Sequence, residues 1–115
     1  MTHSAETARV VRAIAHPAIR MQLDTGAITM NAEAIATVLA DSADLIGHIH
    51  ASEPQLLPLG DGSTDHPAIA TALQQHDVPR LVSIEMLATR EEPHLVAIER
   101  AINTAVSAYR GVHAT

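Results

Sequence analysis

Three residues able to do acid/base or metal chemistry recur at matching places in this sequence. Asp24 closes the segment Ile19-Arg20-Met21-Gln22-Leu23-Asp24, His50 closes the segment from Asp44, and Glu85 lies near the end of Leu81 to Met86. Each segment alternates with the period of two that a β-strand imposes. In the first, Ile19, Met21 and Leu23 share one face, leaving Arg20, Gln22 and Asp24 on the other. In the second, Ile46, His48 and His50 oppose Leu45, Gly47 and Ile49. In the third, Val82, Ile84 and Met86 oppose Leu81, Ser83 and Glu85. Parallel strands would bring Asp24, His50 and Glu85 together at their carboxyl ends, where α/β folds build their sites. Two carboxylates and an imidazole are hard or borderline donors that suit Mn²⁺, Co²⁺, Mg²⁺ or Zn²⁺ and leave room for substrate oxygens. Gln22, His48 and Ser83 would sit one layer lower and orient the ligands.

Each residue also has a plainer reading. Asp24 before Thr25-Gly26 suits a turn, and a histidine in a strand is commonly a hydrogen-bonded structural residue. Glu85, between Ile84 and Met86, is harder to dismiss, because carboxylates are rarely buried without a partner. The coincidence of all three at strand ends favours the metal. Glu53, three residues past His50, reaches a substrate hydroxyl or is simply solvated; the sequence leaves both open. Gly60-Asp61-Gly62-Ser63-Thr64 lacks the lysine of a phosphate loop and follows no strand directly, so it reads as a flexible connection. His3, His76, His94 and His113 fall in no matching strand pattern and are assigned to the surface.

The elements that must position these residues follow from periodicity and punctuation. A helix is expected from Ser4, its N-cap, to Ala15, where His16-Pro17 ends it. Thr25-Gly26 breaks the first strand, and Asn31 caps a second helix to about Ala40. Ala51 to Thr64, with Pro54, Pro58, Gly60 and Gly62, is loop. His66-Pro67 opens a third helix to about Gln75. An amphipathic helix carrying Glu91, Glu92, Glu99, Arg100 and Arg110 begins between Thr89 and Pro93 and runs to about Tyr109, with Gly111 as its stop. The result is an α/β chain of three parallel strands alternating with four helices. Such a sheet is normally covered on both faces, and three strands alone leave bare edges.

Composition narrows the function classes. At 115 residues the chain is one domain or a piece of one. Thirteen acidic against seven basic residues, a net charge of -6, disfavours binding to a phosphate backbone. No apolar run approaches the ~18 residues of a membrane span. The absence of cysteine excludes disulfides and Cys-type zinc sites, and the start, Met1-Thr-His-Ser-Ala-Glu, has no export pattern. The expectation is a soluble, cytoplasmic chain with neither nucleic acid nor membrane as partner.

Four segments, Leu23-Asp24-Thr25-Gly26, Ile46-Gly47-His48-Ile49-His50, Gly60-Asp61-Gly62 and Val82-Ser83-Ile84-Glu85, resemble in order and spacing the sixth to eighth strands of a known family. It is the sugar phosphate isomerase/epimerase family, the xylose isomerase-like (β/α)8 barrels that include ketose 3-epimerases. Glu6 to Pro17 resembles the helix before the sixth strand. The resemblance implies a partial TIM barrel in which residues 1–115 are the C-terminal portion of the domain. It implies isomerase or epimerase chemistry on a sugar or sugar phosphate, with proton transfer next to a carbonyl through an enediolate. Asp24, His50 and Glu85 would be three of the four ligands to a divalent metal, with Glu85 also catalytic as one of two proton-moving glutamates.

The partner glutamate belongs to an earlier strand, for which Glu6 is no substitute. Gly26-Ala27-Ile28 stands where epimerases often carry a histidine, and Gln55-Leu56-Leu57 where they often carry an arginine. A full barrel takes about 250 residues, so the expectation is a truncated or part-barrel chain. Alone, it should lack turnover and should self-associate or pair with a chain that completes the barrel. A non-catalytic assembly module is the alternative from another class. An apurinic-site endonuclease resembling endonuclease IV is a further one, disfavoured by the charge and by the lack of extra histidines at Ala27 and Ile28.

Overall fold

The alternating segments form a parallel three-stranded sheet in the order β1 (Met21–Asp24), β2 (Ile46–Ala51), β3 (Val82–Ile84). It belongs to a computed structural model that describes residues 3–78 and 81–110. Around the sheet run α1 (Ser4–Ile14), α2 (Thr25–Met30), α3 (Ile35–Ser42), α4 (His66–Gln75) and α5 (His94–Ala105), the last passing into a π-helical turn, Val106–Arg110. Two single 3-10 turns, Ala43–Leu45 and Pro54–Leu56, flank β2. Gly111 and His113 lie outside the described residues. None of the described helices is long and apolar enough to cross a membrane.

Several elements differ from expectation for identifiable reasons. Thr25-Gly26 does not merely end β1: a further helix, α2, starts there, because the Asp24 side chain accepts from Ala27 N and caps it. The described residues thus form five α-helices rather than four. Asn31 is the C-cap of α2 rather than the N-cap of α3, which starts at Ile35 behind Ala34. Ser4 is the first residue of α1 rather than its cap, and its amide and hydroxyl both donate to the Glu33 carboxylate at 3.0 Å. β1 begins at Met21 and β2 at Ile46, each two residues later than the alternation suggested. β3 keeps only Val82–Ile84 in the ladder, so Leu81 lies outside it and is 69% exposed.

The faces of β2 also need one correction. Met21 pairs with Ile46 and Gln22 with His48, so the ladder slips by one residue at Gly47. Such a bulge inserts a residue and shifts the alternation. Ile46 is therefore fully buried with Ile49 in the helix-side core instead of sharing the face of His48 and His50. From His48 onward the alternation resumes.

That core gathers Leu23, Ile46, Ile49 and Ala51 from the sheet with Val38, Leu39, Ile69, Leu73 and Ala101 from α3, α4 and α5; Val82, Ile84 and Met86 pack against it. A smaller cluster of Ala8, Val11 and Met21 seats α1. Burying an aliphatic side chain contributes roughly 1.5–3 kcal/mol, so the sheet is held from its helix side. The other face, with Gln22, His48, His50 and Ser83, is only half-buried or exposed.

Candidate metal centre

The site begins with strand register. Asp24 pairs with His50 and His50 with Ser83, so these three lie in one row across the sheet. Glu85 follows the last ladder residue of β3, yet its amide still donates to Ala51 O at 2.9 Å, which carries the strand one step further. Its carboxylate leans back over His50, with Oε2 3.1 Å from His50 Nδ1. One donor atom from each of Asp24, His50 and Glu85 lies within 4.8 Å of the other two, and all three residues are half-buried.

The residues expected beneath the ligands divide. Gln22, one row below and exposed, brings Nε2 to 2.9 Å from His50 Nδ1 and so touches the ring as a positioning group would. His48, in the same lower row, sets its ring edge-on to His50 with centroids 4.9 Å apart. Ser83 is not one layer lower. The register puts it level with His50, because Glu85 rather than Ser83 continues beyond the ladder.

The donor set fits a divalent cation. Carboxylate oxygens and an imidazole nitrogen are the hard-to-borderline ligands of Mn²⁺, Co²⁺, Mg²⁺ and Zn²⁺. His50 Nδ1 carries either one lone pair or one proton, so it cannot at once accept from Gln22 Nε2 and donate to Glu85 Oε2. A cation shared by Nδ1 and Oε2 would replace the contact with Glu85 and take that one lone pair, so the Gln22 contact belongs to the ring without an ion. The turn-forming reading of Asp24 proves compatible with a ligand role, since both hydrogen bonds to its carboxylate, from Ala27 N at 2.8 Å and from Ser52 Oγ at 2.7 Å, fall on Oδ1.

Glu53 departs from both of its expected roles. It is neither solvated nor turned to a substrate hydroxyl: it is 1% exposed, and its carboxylate holds the following loop and α4. Gly60 N donates to Oε1 at 2.9 Å, Thr64 N to Oε2 at 3.0 Å, and His66 Nε2 to Oε1 at 2.8 Å. Burial pushes the Glu53 pKa up, but these bonds outweigh it and hold the pKa below its ordinary value. Because an ionised carboxylate only accepts, Nε2 of His66 carries a proton towards it, and Nδ1 on the other side of the ring lies 2.6 Å from Tyr109 Oη. Burial correspondingly raises the Tyr109 pKa, which keeps the phenol proton in place.

The segment from Gly60 to Thr64 is therefore a built loop rather than a free connection. A Cβ on Gly62 would run into the Glu53 carboxylate, and from outside Arg100 pairs with Asp61 and Glu92. The sequence reading missed Ser52, Thr25, His66 and Tyr109, all buried polar residues. The only signal for them was that a serine and a glutamate directly follow a strand in a chain with so few charged residues.

Over residues 1–106 the sequence matches the xylose isomerase-like TIM barrel family. No curated protein matches. Among solved structures, a D-psicose 3-epimerase from Clostridium cellulolyticum H10, determined with D-tagatose, superposes with a TM-score of 0.76 at 18% identity, over 97% of this chain and 44% of that one. A 3-keto-D-glucoside 4-epimerase from E. coli gives 0.75 at 19% identity, over 90% and 40%. An L-ribulose 3-epimerase gives 0.69 at 21%, over 88% and 34%. At such identities the likeness establishes the fold. This chain spans less than half the length of each of these proteins.

Proposed function

The chain belongs to the xylose isomerase-like TIM barrel family, and from that premise we propose that it carries the metal-binding part of a sugar isomerase or epimerase centre. The observation that carries the reading is the convergence of Asp24, His50 and Glu85 within 4.8 Å at the carboxyl ends of three adjacent parallel strands. That is where barrel enzymes assemble their chemistry. That the fold neighbours are sugar epimerases supports a substrate class for the proposal: a ketose or related sugar offering a carbonyl beside a C–H.

A bound divalent cation would supply Lewis-acid polarisation of the sugar oxygens. The residues supply the rest. Asp24 and His50 would hold the cation, and His48, edge-on to it, sets the angle of the His50 ring. Glu85, with its side chain 43% exposed, binds the cation and moves a proton at the carbon next to the carbonyl. The second acid and the remaining ligand come from barrel strands other than these three.

Those strands complete the sheet at its open edges. Among the described residues β1 and β3 each have one unpaired side, and an apolar groove of about 390 Å³ runs along β3 between Leu81, Val82, Ile84, Ile102 and Val106. An edge strand beside such a groove invites a further strand and helix. We assign this surface to the rest of a barrel.

The test is calorimetric titration of the 115-residue chain with Mn²⁺ and Co²⁺, followed by ketose interconversion assays with and without the N-terminal strands of a family member added as a separate chain. Binding to one site that His50→Ala abolishes supports the reading. Absence of binding, or binding indifferent to His50→Ala, refutes it.

A further inference from the structure

We propose that Ser52 is the positioning residue of the centre: its buried hydroxyl occupies Oδ1 of Asp24, so that Asp24 meets a cation through Oδ2 alone. The inference rests on the metal-centre reading and goes beyond it to a residue that neither motif nor strand register marks. Ser52 is fully buried and follows β2 directly. Its Oγ lies 2.7 Å from Asp24 Oδ1 and 2.9 Å from Gly26 N.

Chemistry fixes the direction of the hydroxyl proton. Gly26 N–H can only donate, so Oγ accepts from it; an ionised carboxylate can only accept, so the O–H must point at Asp24. Oδ1 then holds two hydrogen bonds, from Ser52 Oγ and from Ala27 N at 2.8 Å, which use both of its lone pairs. Oδ2 is left for a metal.

Ser52 is itself pinned on its backbone. Its amide donates to Thr25 Oγ1 at 2.9 Å, while that same hydroxyl donates back to Ser52 O at 2.9 Å, and Thr64 Oγ1 donates to Ser52 O at 3.2 Å. The first turn of α2 and the end of β2 thus clasp each other around one serine. Glycine at position 26 leaves the room this contact needs, since a Cβ there would sit 2.8 Å from Ser52 Oγ.

The experiment compares Mn²⁺ affinity and the visible absorption of bound Co²⁺ in the full chain and in Ser52→Ala, Ser52→Cys and Asp24→Ala. Outer partners of metal ligands typically command about 10–100-fold in affinity. Ser52→Ala should lose that much and shift the Co²⁺ spectrum as Asp24 gains freedom to bind through both oxygens. Ser52→Cys, a weaker donor of similar size, should fall between; it also carries the test if the alanine variant does not fold. Unchanged affinity and spectrum in a folded Ser52 variant overturn the proposal and leave the metal centre standing. Failure of the parent chain to bind, or binding unaffected by Asp24→Ala, overturns the centre and the proposal with it.

Discussion

Asp24 caps α2 through Oδ1 and, in the proposed centre, binds a cation through Oδ2, so a substitution can separate the two roles. Asparagine caps a helix about as well as aspartate, and its carbonyl oxygen can still accept from Ala27 N and Ser52 Oγ. Asp24→Asn should therefore keep stability within about 0.5 kcal/mol while losing more than the ~100-fold in metal affinity that an outer partner commands. Urea unfolding beside calorimetry checks this, and a parallel fall in both would mean that Asp24 is structural only. Glu53 makes a different expectation. Its folded pKa lies below the ordinary 4.5, so its contribution to stability is complete above that value and disappears as pH falls through the folded one. Glu53→Gln should cost about 1.5–3 kcal/mol near neutrality and flatten the decline of the urea midpoint below pH 4.5. An equally steep decline in the variant would contradict the assignment. Of these residues, Asp24, His50 and Glu85 were legible because strand ends and parity need no tertiary knowledge. Ser52 and His66 were not, since only contacts distant in sequence separate a buried serine from an exposed one.

Among the elements, α2 shows how a short helix can serve a site. Gly26 stands in its first turn, where an exposed glycine replaced by alanine would gain about 1 kcal/mol of helix propensity. Here the added Cβ would lie 2.8 Å from the carbonyl carbon and oxygen of Glu53 and from Ser52 Oγ. Gly26→Ala should instead destabilise by about 1–3 kcal/mol, the scale of overpacking, measured by thermal unfolding. A rise in melting temperature would show that α2 does not clasp β2 as described. Helix α4 was read to the residue because His66-Pro67 sets its start and nothing competes. Helix α2 was not, because Thr25-Gly26 is a breaker by composition and becomes a helix start only once Asp24 turns its side chain onto Ala27 N. The bulge at Gly47 was equally hidden: strict alternation misassigned Ile46, and only its pairing with Met21 reveals the extra residue.

For the molecule as a whole, the balance of surfaces matters most. Helices cover one face of the sheet, whereas the face with the candidate ligands has no second layer among the described residues. Along α5 and into the π-helical turn, Leu95, Ile98, Ile102 and Val106 are all substantially exposed, Leu95 to 80%. Exposed apolar rows beside an open strand edge drive association. In analytical ultracentrifugation the chain should sediment with a concentration-dependent mass above that of one copy, and Ile102→Asp, which puts a charge into the groove beside β3, should lower it. A strictly monomeric, well-folded chain would argue against barrel completion through this surface. The order of strands and helices, and the open edges, followed from the alternation of periods. The extent of the exposed row on α5 did not, because an amphipathic pattern does not say whether its apolar side finds a neighbour.

Tyr109 is the only tyrosine, in a chain without tryptophan or phenylalanine, and its hydroxyl ends the buried run from Glu53 through His66. The protein thus carries one fluorophore, placed by the fold at the far end of the network that supports the candidate centre. Its emission, in a label-free experiment, would report the surroundings of that one ring, the contact with His66 among them. An acid titration followed by that emission and, in parallel, by far-ultraviolet circular dichroism would time the loss of Glu53 against the unfolding of the sheet, and separate a loosened loop from a lost fold.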